Sequence, residues 1–270
     1  MSFVSNARMY SVTPQAEAAW QALLEHICRE AEVSLSYTPY PAPQPLETLW
    51  ARPDLGCVFM CGYPIALKLA DVVPIAAPIP SPDWAQGRAL YRSDFIVRRD
   101  SSFQTLEDTF GGRFGWTVNH SHSGFNAPRY HLLGLRTPER PKLYASVKSN
   151  LVTARAVLDA VLAGSMDVGP LDGWWHALNA HHLPALTRDI RVVASTALAP
   201  APAFVASPAL GAAKIARLKA AFAGASMQSW FPAVSGALLI SGFAPVERSD
   251  FVATLEWHRA ALAAGYPKPA

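Results

Sequence analysis

Phe114-Gly115-Trp116-Thr117-Val118, then Asn119-His120-Ser121-His122-Ser123-Gly124-Phe125-Asn126-Ala127-Pro128-Arg129-Tyr130-His131, reads as a strand, a loop and the start of a helix. The apolar run to Val118 suits a strand, and Tyr130-His-Leu-Leu133 suits the inside of a helix. The loop between them is rich in hydroxyls and amides and carries one glycine. Backbone N–H groups are unpaired at a helix start, and the positive end of the helix dipole lies there. Ser121, Ser123, Gly124 and Asn126 therefore form a candidate anion pocket. In the competing reading, Ser123 or Asn126 simply caps the helix.

Outward from this loop, strands alternate with helices. Leu55-Gly-Cys-Val-Phe-Met60 is a continuous apolar run, as in a strand buried on both faces. Thr13-Pro14 predicts an N-cap with proline in the first turn of a helix running to about Glu32. Arg8 to Val12, Val33 to Tyr37, Val72 to Ala76 and Leu90 to Val97 read as strands. So do Leu143 to Val147, Met166 to Leu171, Ile190 to Ala194 and Ala203 to Ala206. Asn150 to Ala163, Ala212 to Ala223 and Asp250 to Ala264 read as helices. The pattern predicts an α/β fold with mostly parallel sheets. Ligands bind such sheets at the carboxyl ends of strands. Tyr10, Tyr63, the Ser121–Asn126 loop and Asp172 fall in that position, and Tyr91-Arg92-Ser93 lies inside a strand.

Composition narrows the function. The 270 residues are 51% hydrophobic and only 16% charged, enough for a large core or two lobes. A formal charge of +3 with scattered Lys and Arg gives no footprint for nucleic acid. Cys28, Cys57 and Cys61 are an odd count without metal-ligand spacing, so they read as free thiols. His120-x-His122 lacks an accompanying carboxylate cluster, and His131 lies beyond on the helix, so no metal site is expected. His176, His181 and His182 read as surface residues. No P-loop or dinucleotide fingerprint appears, so no cofactor is expected. No apolar run reaches the ~18–20 residues of a membrane span. Met1 to Met9 shows no secretory signal pattern.

Several segments, in order, resemble the phosphate, phosphite and phosphonate substrate-binding proteins of ABC transporters, the PhnD-like family. They are Met9-Tyr10, Cys61-Gly-Tyr-Pro64, Tyr91-Arg-Ser93 with Val97-Arg98, and Leu106-Glu-Asp108. Asn119 to Asn126, Gly164-x-x-Asp167-Val with Asp172, and Gly265-Tyr-Pro267 complete the set, which spans nearly the whole chain. The resemblance implies a two-lobed type 2 periplasmic-binding-protein fold. Lobe one would be residues 1–92 plus 198–270 and lobe two residues 93–197, with crossings near Tyr91–Val97 and Ala194–Ala199 and a ligand cleft between. It also implies a monomer that captures a small oxyanion for a transporter permease in the periplasm. One segment departs from the family: Thr153-Ala154 stands where members carry Ser-His of a Gly-Ser-His-x-x-Ser motif.

The ligand set that follows is Tyr10, Tyr63, Tyr91, Ser93, Ser121, Ser123, Gly124, Asn126 and Asp172. Hydroxyls and amides donate to the anion, while the Asp172 carboxylate, which only accepts, favours a ligand that keeps a proton. Packing roles for the tyrosines and a helix cap for Asp172 are the plain alternatives. Three other functions use the same residues: a ligand sensor, which fits a cytoplasmic chain, a binder of another small molecule such as a pyrimidine precursor, and a Ser/His hydrolase. The last lacks Gly-x-Ser-x-Gly.

Overall fold

The strand Leu55–Met60, buried at all six positions, lies within a six-stranded sheet. The computed structural model describes residues 2–270. Phe3–Asn6 pairs parallel with Leu35–Tyr37 on one side and Leu55–Met60 on the other. Ala203–Ala206 then enters antiparallel between Leu55–Met60 and Val73–Pro80, and Ile240–Pro245 closes the edge antiparallel. The helix Pro14–Glu30 begins as its sequence predicts, with Thr13 Oγ1 accepting from Ala16 N at 3.1 Å. Its buried face carries Ala16, Trp20, Leu23, Leu24 and Ile27. Trp20 meets Phe59 edge-on at 5.1 Å and Phe204 at 5.8 Å, locking helix to sheet.

These elements make one of two units, Met1–Tyr91 with Pro200–Val252. The other is Arg92–Ala199 with Ala253–Ala270. In the second unit Ser93–Arg98 lies between Ile190–Ser195 and Gly169–Asp172, antiparallel to both. Arg113–Gly115 and Ser146–Lys148 pair parallel, and Phe114 bridges to Val168. Alternation along Ser93–Arg98 serves two cores. Phe95 and Val97 pack with Phe114, Trp116, Phe125 and Leu132, whereas Ile96 packs with Val157, Leu158, Val161 and Leu171.

The structure departs from the sequence reading at several places, among them the strand expected over Leu143 to Val147, which lies at Ser146–Lys148. Arg8–Tyr10 is a 3-10 turn and the first strand is Phe3–Asn6. Asn6 Oδ1 takes the Arg8 N–H at 2.7 Å and Ser11 Oγ binds Ala7 O at 3.0 Å, local bonds that compete with sheet pairing. The strand Ile240–Pro245 and the helix Phe231–Leu238 carry weak periodicity and were not expected. The α/β class is as expected; within it, parallel pairing is found at the three strand pairs named, while the returning strands and the Ser93–Arg98 sheet run antiparallel. Residues 253–270, expected with 198–252, belong to the second unit. There Asn126 Nδ2 holds Thr254 O at 2.8 Å, Arg129 Nη1 holds Pro267 O at 3.0 Å, and Leu143 N holds Ala270 O at 3.1 Å.

Candidate functional site

The strand Arg113–Gly115 delivers the chain to the serine loop, which is braced at its start. Trp116 N donates to Lys148 O, Leu151 N donates to Trp116 O, and Trp116 Nε1 donates to Asn119 Oδ1, each at 3.0 Å. Ser121 Oγ caps the next turn by accepting from Gly124 N at 3.0 Å. His122–Asn126 winds as a single π turn, with Asn126 N bonded to Ser121 O at 3.1 Å, before the helix Ala127–Leu133. Single π turns concentrate at functional sites. The Gly124 and Asn126 N–H groups, expected to face an anion, are thus used within the turn.

Asn126 also differs from expectation. Its side chain, fully buried, donates to Thr254 O, contacts His122 Nδ1 at 3.3 Å and accepts from Arg129 Nη2 at 2.9 Å. It ties the turn to the 253–270 segment. Arg129 continues that tie to His258 Nδ1 at 2.8 Å and lies 4.7 Å from the Phe125 ring centroid. His122 stacks on Trp257, and Trp257 on Tyr130. Burial pushes the His122 pKa down to about 3, so its imidazole is neutral at physiological pH.

Ser121 is half-buried and Ser123 buried. Ser93 is 1% exposed, its N–H donates to Thr196 Oγ1 at 3.0 Å, and it stands opposite Asp172. Its Oγ is buried and has no hydrogen-bond partner among the described residues. Asp172 caps the helix Gly173–His182, with Oδ1 accepting from Trp174 N and Trp175 N, both at 3.0 Å. In the first unit Tyr10, Tyr63 and Tyr91 are all buried. Tyr10 and Tyr63 follow the carboxyl ends of the neighbouring parallel strands Phe3–Asn6 and Leu55–Met60. Tyr10 meets Phe59 edge-on at 5.2 Å, and its carbonyl accepts from Trp20 Nε1 at 3.3 Å. A Cβ on Gly62 would sit 2.4 Å from Phe251 Cδ1, so only glycine lets Tyr63 enter its helix there.

One polar cluster was not anticipated. Asp94, 4% exposed, accepts from Arg92 Nε at 3.0 Å, from Ser195 Oγ at 2.7 Å and from His176 Nδ1 at 3.0 Å. His176 was expected at the surface, but this bond draws it in. Burial raises the Asp94 pKa, yet the bonds from His176 and Ser195 and the Arg92 charge outweigh it and hold the carboxyl below its ordinary value. The sequence signal was an aspartate at a core-facing strand position. The cysteines are free thiols, and burial raises the Cys28 pKa to about 11. Among the described residues no group of three His, Cys, Asp or Glu could hold a metal.

The family model for ABC-transporter phosphonate periplasmic substrate-binding proteins matches residues 10–251. The chain belongs to that family. No curated protein matches it. Its fold is that of the two-lobed type 2 binding proteins. A phosphonate-transporter binding component from Pseudomonas aeruginosa (PA3383) aligns at TM-score 0.79 and 17% identity, over 98% of this chain and 88% of that one. PhnD1 from Prochlorococcus marinus, in complex with methylphosphonate, aligns at 0.76 and 15%, over 97% and 98%. XAC2383 from Xanthomonas citri, bound to ATP, aligns at 0.66 and 19%, over 98% of each chain. Family membership makes the chain a solute-binding protein for a small anion, and the family implies a permease partner. Its members serve ABC importers in the periplasm. Among the described residues no helix is long and apolar enough to cross a membrane.

Proposed function

We propose that this binding protein captures a phosphorus oxyanion, phosphonate, phosphite or phosphate, in the periplasm, and presents it to an ABC permease. In the second unit Ser93, Ser121 and Ser123 donate hydroxyls to the anion, and in the first unit the candidate contacts are Tyr10, Tyr63 and Tyr91. The observation that carries this reading is Ser93 Oγ, a buried donor with no hydrogen-bond partner among the described residues, on the residue opposite Asp172. Buried hydroxyls are ordinarily satisfied, so this one suits an acceptor brought from outside. Asp172 keeps its helix cap and adds negative charge, which disfavours a fully deprotonated, sulfate-like anion. Gly124 leaves room beside Ser121.

The protein binds on this reading; the hydrolase alternative, with Ser121 or Ser123 as nucleophile and His120 or His122 as base, loses one of its two bases. His122 is too weak a base, with a pKa near 3, to activate Ser121 or Ser123 at neutral pH. A second reading keeps the phosphorus oxyanion but attaches it to a larger ligand. Thr153, where the family has Ser, caps the helix Ala154–Leu162, its Oγ1 accepting from Ala156 N at 3.0 Å, and Ala154 stands where the family has His. The similar XAC2383 carries ATP. Thermal melting with methylphosphonate, 2-aminoethylphosphonate, phosphite, phosphate, ATP and sulfate separates the readings. Ligand at a hundredfold its Kd should raise the transition by roughly 5–10 °C. A rise with ATP alone favours the second reading, and no rise with any phosphorus oxyanion at millimolar concentration defeats both.

A further inference from the structure

We propose that Thr117, which no sequence motif singles out, is a ligand-positioning residue whose hydroxyl donates to the bound phosphorus oxyanion. The inference rests on the reading that the serine loop and Ser93 hold that anion. Thr117 stands two residues beyond the strand Arg113–Gly115, next to the braced Trp116. It is 6% exposed, and its Oγ1 is buried without a hydrogen-bond partner among the described residues. A hydroxyl removed from water with nothing to donate to costs stability. Valine would fill the same space at a strand end without that cost. The hydroxyl therefore needs a reason beyond packing.

Its position supplies one. A Cβ at Gly124 would lie 2.0 Å from Thr117 Oγ1 and 3.0 Å from Ser121 Oγ. The two hydroxyls thus converge on the Gly124 backbone, and glycine is what leaves them room. Ser121 Oγ accepts from Gly124 N at 3.0 Å, which leaves its own proton to donate. Two neighbouring O–H donors, set beside a braced strand end, suit an anion that turns acceptor oxygens toward them and keeps any proton elsewhere. Neutral His122 adds no competing cation in the same turn.

Calorimetric titration of methylphosphonate into the wild type, Thr117→Val and Thr117→Ser tests the assignment, with ligand-free melting recorded for each. Thr117→Val should bind at least about tenfold more weakly, the ordinary cost of one hydrogen bond to a charged group. Thr117→Ser keeps the hydroxyl and should stay within about threefold of the wild type. Ligand-free Thr117→Val should melt no lower than the wild type. Wild-type affinity in Thr117→Val overturns the inference, as does equal weakening of both variants with lowered melting, which marks a structural role. A wild type that binds no phosphorus oxyanion overturns the parent reading, and that failure is visible without either variant.

Discussion

Ser93 and Asp94 are neighbours on one strand, both buried, and the fold treats them oppositely. Asp94 faces Arg92, Ser195 and His176 and has every oxygen engaged. Ser93 Oγ, on the other face, has no hydrogen-bond partner among the described residues. The same contrast separates Asn126, bonded on three sides, from Thr117 in the loop before it. A buried polar group that builds the protein is satisfied by the protein. One that stays open inside a well-packed unit is better read as waiting for a ligand.

The comparison breaks most severely at Asp94. Asp94→Asn keeps one acceptor oxygen for Arg92 and Ser195, removes the charge and turns an amide donor toward His176 Nδ1, and should cost about 3 kcal/mol in urea unfolding. Because the folded carboxyl titrates below its unfolded value of about 3.9, this contribution is complete above that pH. The gap between wild type and variant should hold at neutral pH and close as pH falls below about 4. An unchanged gap at pH 3 would show that the carboxylate charge is not what the cluster uses.

His122 provides the next effect, with its own pH signature. Its folded pKa of about 3 lies below the unfolded value near 6.5, so the unfolded chain binds a proton that the folded one refuses. Stability should therefore fall with pH from 6.5 downward, by about 2 kcal/mol at pH 5. His122→Gln should lack that slope in denaturation series at the two pH values. Gly124→Ala forces a methyl group against Thr117 Oγ1 and Ser121 Oγ and should cost about 1–3 kcal/mol. Thr117→Ala in the same chain should recover part of it, read as a melting temperature between those of wild type and single variant. Ser93→Ala should have the smallest effect on stability, none or a slight gain, and its loss should appear only in ligand affinity.

Much of this was legible in the sequence because local chemistry and packing agree there. Thr13-Pro14 caps the first helix, Leu55–Met60 is apolar at every position, and Ser-x-Ser-Gly announces a turn beside a strand end. The π turn was not legible, since it depends on Asn126 reaching Thr254, a contact 128 residues away in sequence. Nor was the Asp94 cluster, whose partners come from Arg92, the helix Gly173–His182 and the strand Ile190–Ser195. Thr117 resembles any β-branched residue ending a strand, and only the approach of Gly124 reveals its hydroxyl. The cap at Asp172, by contrast, was foreseen as an alternative and is present, so its helix bonds coexist with the proposed role in selectivity.

Calorimetric titration of methylphosphonate into wild type and Ser93→Ala asks whether the Ser93 hydroxyl holds the anion. The wild type should bind, Ser93→Ala should bind at least about tenfold more weakly, and the ligand-free variant should melt no lower than the wild type. Equal affinity in the two proteins would contradict that role for Ser93.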